Sequence, residues 1–97
     1  MLTSKQRAHL RGMASKMDTI FHIGKNGVTP ELTQTIDDAL TARELIKIGV
    51  LENCPNEPAE AAEVIGERTR SEVVQVIGRK VVLFRQSKTK TKMELPN

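Results

Sequence analysis

Ninety-seven residues are enough for one domain that buries its own core without staples, and 15 Lys and Arg against 12 Asp and Glu leave a net charge of +3 and a pI near 9.3. That excess is modest, so the placement of charge carries more than its total. A single cysteine, Cys54, excludes an internal disulfide, and no stretch reads as a secretory signal or a membrane span, so a soluble, reduced, cytoplasmic chain is expected.

In chain order, Thr3-x-x-Gln6 reads as a capping box opening a first helix. Leu10, Met13, Ala14 and Met17 then follow the i, i+3, i+4, i+7 spacing of one buried stripe. Thr19 to Ile23 is a short apolar strand that runs into Gly24-Lys25-Asn26-Gly27. Behind that loop, Thr29 is a good N-cap, Pro30 fits the first helical position, and Glu31 suits the first turn of a second helix reaching about Arg43. Its inner face is predicted to hold Leu32, Ile36, Ala39 and Leu40. Glu44 to Leu51 is nearly continuous in apolar residues, as a central strand would be. Asn53 to Asn56 is a loop, and Pro58 to about Thr69 a third helix with Ala61, Ala62 and Ile65 inward. Glu72 to Ile77 and Lys80 to Gln86 are strands joined by Gly78-Arg79, a type II′ hairpin signal. Residues 1–86 thus form one domain. The polar, lysine-rich 87–97 is expected to be a frayed tail. The order α-β-α-β-α-β-β predicts parallel strands where helices connect them and an antiparallel final pair.

The G-x-x-G loop carries the chemistry. Glycines allow positive φ and close backbone approach, while Lys25 and Asn26 both donate hydrogen bonds to phosphate oxygens. A helix N-terminus behind the loop favours an anion. The loop therefore reads as a seat for a nucleic-acid backbone, in the manner of the GXXG loop of KH domains. A G-K-N-G tetrapeptide is also an ordinary turn, because Asn-Gly is itself a strong turn former.

The rest of the chain bears on that choice. Lys5, Arg7, Arg11 and Lys16 are expected on the first helix, with no acid between Lys5 and Lys16. Arg79, Lys80, Arg85, Lys88, Lys90 and Lys92 close the chain against Glu94 alone, and acids gather between Glu52 and Glu67. Basic ends around an acidic middle can fold into a molecule with one basic side, the electrostatic footprint of a nucleic-acid binder. Lys5, Arg7, Arg11, Arg79 and Lys80 are expected to share one surface with Lys25. With Phe21 and Phe84 the only aromatics, the base-stacking platforms of RRM and OB folds are not expected, and RNA would be held mainly by backbone and shape.

Four segments together resemble the CRM domain (chloroplast RNA splicing and ribosome maturation) in its stand-alone bacterial form, the YhbY family. They are Leu2 to Arg11, Ile23 to Thr29, Glu44 to Ile48, and Val76 to Arg85. The resemblance implies a compact α/β domain with a four-stranded mixed sheet, like the C-terminal domain of translation initiation factor 3. It also implies RNA binding through Gly24, Lys25, Asn26 and Gly27. The basic candidates carried over by position are Lys5, Arg7, Arg11, Lys16, Arg79 and Lys80. Bacterial members are associated with ribosomal RNA in precursors of the large ribosomal subunit.

Other chemistry finds little support. His9, His22 and Cys54 lie far apart without metal-ligand spacing, so no zinc site is expected, and His22 is expected to be packed or paired locally. The loop lacks the G-x-x-x-x-G-K-[ST] pattern of a P-loop, and no nucleophile, base or carboxylate pair can be argued from spacing. The expectation is a monomeric, non-enzymatic RNA-binding assembly factor with no cofactor and no small-molecule substrate. A protein-interaction adaptor, or a translation-factor-like module with mainly protein contacts, is the other reading.

Overall fold

The computed structural model describes residues 2–86; the predicted tail, 87–97, lies outside the described residues. The elements are α1 (Ser4–Ala14), β1 (Phe21–Ile23), α2 (Pro30–Arg43), β2 (Leu45–Val50), α3 (Pro58–Thr69), β3 (Glu72–Ile77) and β4 (Lys80–Phe84), in the predicted order. The helix starts follow the local chemistry of their sequences. Thr3 Oγ1 accepts from Gln6 N while Gln6 Oε1 accepts from Thr3 N, a reciprocal pair that satisfies two otherwise orphaned donors. Thr29 Oγ1 accepts from Leu32 N at the start of α2, and Glu60 Oε1 accepts from Glu57 N at the start of α3.

The four strands form one mixed sheet in the order β1-β2-β4-β3. β1 and β2 are parallel, as the intervening helix requires, and β4 runs antiparallel to both of its neighbours. The connection through α3 therefore carries the chain past one vacant place, which β4 fills on its return. On one face, Ile23, Ile46, Ile48, Val50, Val81 and Leu83 pack against Ile36 and Leu40 of α2 and Ala61, Ala62 and Ile65 of α3. On the other, Leu45, Val74, Val82 and Phe84 pack against Leu10 and Ala14 of α1. Burial on both faces explains why β2 reads as a continuous apolar run. Its polar interruption, Lys47, donates from Nζ to Ala14 O (3.3 Å), which also accepts from Met17 N, and to Met17 O (3.4 Å), so its ammonium sits at the C-terminal end of α1.

Several expectations are corrected. Met13 does not join the buried stripe of α1 and is 39% exposed; the inward side is made by Leu10 and Ala14, with Met17 packed beside them. β1 is shorter than predicted, and β4 stops at Phe84. Glu44 closes α2 instead of opening β2: its φ is +64, its N–H donates to Leu40 O, and it is fully buried. The hairpin is as expected. Ile77 pairs with Lys80 across a two-residue turn, and of the two turn residues only Gly78 has positive φ (+56), the pattern of type II′. A bulge between Val73 and Gln75 interrupts β3. Arg85, just past β4, ties three elements together by donating to Asp37 Oδ1, Thr41 Oγ1 and Thr69 O.

Candidate nucleic-acid interface

The glycine loop leaves the C-terminal end of β1 as a tight turn, Gly27 N donating to Gly24 O at 3.0 Å. Lys25 and Asn26 occupy the two central positions and are exposed. The glycines divide their duties differently from the sequence expectation. Only Gly27 has positive φ (+67); a Cβ there would stand 3.2 Å from Pro55 Cγ and 3.3 Å from Asn56 Oδ1. At Gly24 φ is unremarkable and a Cβ would meet only ordinary contacts, Leu51 Cδ1 at 3.7 Å and Asn53 Oδ1 at 3.9 Å. Gly27 thus forms the turn, whereas Gly24 keeps the surface beside it bare.

The start of α2 offers fewer donors than a bare helix end. Pro30 has no N–H, Leu32 N–H is taken by Thr29 Oγ1 and Thr33 N–H by Thr29 O. Attraction for an anion then comes chiefly from the Lys25 ammonium, the Asn26 amide and the loop backbone.

Residues far away in sequence complete the loop's surroundings. The segment after β2 lies against it, with Asn53 beside Gly24 and Asn56 beside Gly27. Arg79, at the hairpin turn, donates from Nε to Val50 O (2.7 Å) and from Nη2 to Leu51 O (2.6 Å). Leu51 N in turn donates to Ile23 O, so the Arg79 guanidinium holds the strand end on which Gly24 rests. Lys80 follows it and is exposed. Arg68 Nη1 approaches Val28 O at 3.5 Å from α3. Asn53, Asn56 and Arg68 were not singled out from the sequence; the only available signal was the polar content of a loop and a helix face. Glu52 and Glu57 are exposed on this same post-β2 segment, so the loop has an acidic neighbour as well as a basic one.

The cations of α1 separate into two groups. Arg7 is half-buried against β3: Nη1 donates to Val73 O at 2.8 Å and Nη2 pairs with Glu72 Oε2 at 3.3 Å. The acid missing from its own helix is supplied by a strand 65 residues later. Arg7 meets β3 at its beginning, and the Gly78-Arg79 turn follows its end, roughly 15 Å away at about 3.3 Å per residue. The guanidinium of Arg7 is therefore not part of one surface with the turn. Lys5 and Arg11 are exposed, Lys16, expected on the same helix, lies past its end at Ala14 and is exposed too, and the C-terminal end of α1 approaches β2 at Lys47. Lys25, Arg79 and Lys80 are brought together at one end of the sheet. Among the described residues no group of three or more His, Cys, Asp or Glu could hold a metal ion, and no helix is long and apolar enough to cross a membrane.

The chain is similar to several known proteins over its whole length. The family model of the CRS1 / YhbY (CRM) domain matches residues 2–85. A Bacillus subtilis protein named "Probable RNA-binding protein YqeI" is 44% identical over 96 residues, 99% of this chain and 100% of that one. A Haemophilus influenzae protein named "RNA-binding protein" is 33% identical over 95 residues, covering 98% of this chain and 95% of its own. The solution structure of protein SAV1595 from Staphylococcus aureus is 49% identical, covers 99% of this chain and 100% of that chain, and superposes with a TM-score of 0.82. With that match across both flanks of the glycine loop and the whole α-β-α-β-α-β-β order, the chain belongs to the CRS1 / YhbY (CRM) domain family.

Proposed function

We propose that this protein binds RNA, gripping the sugar-phosphate backbone at Gly24-Lys25-Asn26-Gly27, and that its target is ribosomal RNA in precursors of the large ribosomal subunit, where it serves as a cytoplasmic, monomeric assembly factor. The observation that carries the reading is the loop itself. A left-handed Gly27 presents an exposed cation and an exposed amide at the sheet end, beside Lys80 and with Gly24 leaving space for close approach. The names of the relatives support RNA as the partner. Phosphate contacts from Lys and Arg would dominate, so the logarithm of affinity should fall linearly with the logarithm of salt, by about 0.7 per phosphate neutralised on a single strand.

Exposed Leu51, Val76 and Ile77 favour the protein-adaptor reading, since apolar side chains at one sheet end could meet a protein. Purification without nuclease separates the two. An RNA binder carries 260 nm absorbance that high salt removes, and cross-linking in cells maps the bound RNA to large-subunit ribosomal sequence. Recovery of the protein free of nucleic acid at low salt, with no RNA cross-links, would refute the proposal.

A further inference from the structure

We infer that the sheet face beside the glycine loop contains a nucleobase-stacking site whose contact ring is His22, taking single-stranded RNA; the inference rests on the RNA-binding reading and adds a base contact to it. Strand pairing places one row across the whole sheet: His22 opposite Gly49, Gly49 opposite Lys80, Lys80 opposite Ile77. The flanking residues Ile23, Ile48, Val50 and Val81 point into the core under α2 and α3, so by the pleat all four members of the row lie on the α1 side. That helix does not cover them. It packs on Leu45, Val74, Val82 and Phe84, and its final turn is fastened by Lys47, one step short of the row.

His22 was expected to be packed or paired, yet it is exposed. Its ring leans across the neighbouring strand, with Cδ2 2.9 Å and Nε2 3.3 Å from where a Cβ on Gly49 would stand. Gly49 has no positive φ to explain it, and a glycine inside a central strand weakens the strand; the room it makes is occupied by this ring and, at 3.4 Å, by the Thr19 methyl. The imidazole is the one ring on an open sheet surface, because Phe84 is buried under α1 and Phe21 packs into the opposite core. Histidine is among the side chains on which splayed RNA bases stack.

The surroundings select the occupant. The side chains of Lys80 in the row and Lys25 at the adjoining loop are exposed and have no hydrogen-bond or ion-pair partner among the described residues, and Ile77 is 59% exposed. Cations around an exposed ring and an exposed aliphatic chain suit a nucleotide, whose phosphates meet the charges while its flat base meets the apolar atoms. The acids near the loop, Glu52 and Glu57, stand on the segment leading into α3, so repulsion steers a backbone held at Lys25 toward the α1 side.

The test uses the whole chain with fluorescein-labelled oligoadenylate and versions carrying one abasic residue at successive positions. Expected are a loss of about fivefold or more in affinity for His22→Ala, near-parental affinity for His22→Phe, and an abasic position that weakens the parent but not His22→Ala. The His22 ring protons, assigned by their absence from His22→Ala, should move upfield when oligoadenylate is added. Equal binding by parent and His22→Ala, a flat abasic series for the parent, or unmoved ring signals at saturation would overturn the stacking site while leaving backbone binding intact. No RNA binding by the parent at low salt would overturn the RNA reading and this inference together.

Discussion

The two loop glycines should behave as different kinds of residue when each is replaced by alanine. At Gly27, φ of +67 costs a residue with a Cβ roughly 1–2 kcal/mol, and the new methyl also arrives 3.2 Å from Pro55 Cγ and 3.3 Å from Asn56 Oδ1. A proline ring is closed onto its own backbone nitrogen and cannot rotate aside as an open side chain would, so crowding adds about 1 kcal/mol. The expected loss for Gly27→Ala is about 2–3 kcal/mol, which for a chain of this size lowers Tm by roughly 10–20 °C. Gly78→Ala is the control for strain alone: φ is +56, but nothing stands within 4 Å of the added Cβ, so about 1–2 kcal/mol is expected. Gly24→Ala meets neither difficulty and should stay within about 0.5 kcal/mol of the parent. Thermal denaturation followed by circular dichroism gives all three values. Equal destabilisation by Gly27→Ala and Gly24→Ala would refute this division of duties. Because Gly24 is tolerant, Gly24→Asp then probes function on an intact fold. A carboxylate beside Lys25 should weaken RNA binding at least tenfold, about 1.4 kcal/mol, and undiminished binding would reduce the loop to a turn.

The cations should separate in the same way. Arg7→Ala removes a hydrogen bond to Val73 O and a partly solvated pair with Glu72, and should cost about 1–2 kcal/mol in urea unfolding, whereas Arg11→Ala, exposed, should cost under about 0.5. Arg11→Ala should instead shallow the slope of log affinity against log salt by about 0.7 and weaken unrelated RNA sequences equally. Arg79→Ala should weaken RNA binding with little change in that slope, since its guanidinium is engaged by Val50 O and Leu51 O; a slope change as large as that of Arg11→Ala would make it a phosphate contact. Gly12→Ala, in the last turn of α1 with nothing within 4 Å of the added Cβ, should stabilise the protein by about 0.5 kcal/mol, and a lowered Tm would contradict the helix-propensity argument.

The elements with local signatures were legible in the sequence. Thr3 and Thr29 mark the first two helix starts, Gly78-Arg79 marks the hairpin, and the apolar run at Ile46 to Val50 marks a strand covered on both sides. Non-local pairings were not. The guanidinium of Arg7 looked free because no acid lay within a helical turn of it, but β3 brings Glu72 alongside from the far end of the chain. Met13 fitted the helical stripe by spacing alone, while the register of α1 on the sheet turned it outward and let Arg7 take the flank. His22 sits in an alternating strand whose outward face could not be assigned without knowing how far α1 extends across it.

The position of the candidate site follows from the topology. β1 and β2 are parallel, so both deliver their C-terminal ends to the same edge of the molecule, and open α/β sheets collect ligands at such ends. β3 runs antiparallel to β4, which itself opposes β2, so β3 must point the same way as the first two strands and finish at that edge. Its connection to β4 is only two residues, which leaves Arg79 no other place than beside the carbonyls that end β2. A glycine loop at residues 24–27 and a hairpin at residues 78–79 therefore meet without any sequence-local signal linking them. The chain order also puts α1 alone on the second face of the sheet, where one helix of 11 residues cannot cover four strands. What it leaves exposed is His22, Lys80 and Ile77, with Gly49 buried beneath the His22 ring and Thr19, and that is why a base contact can adjoin a backbone contact in so small a domain.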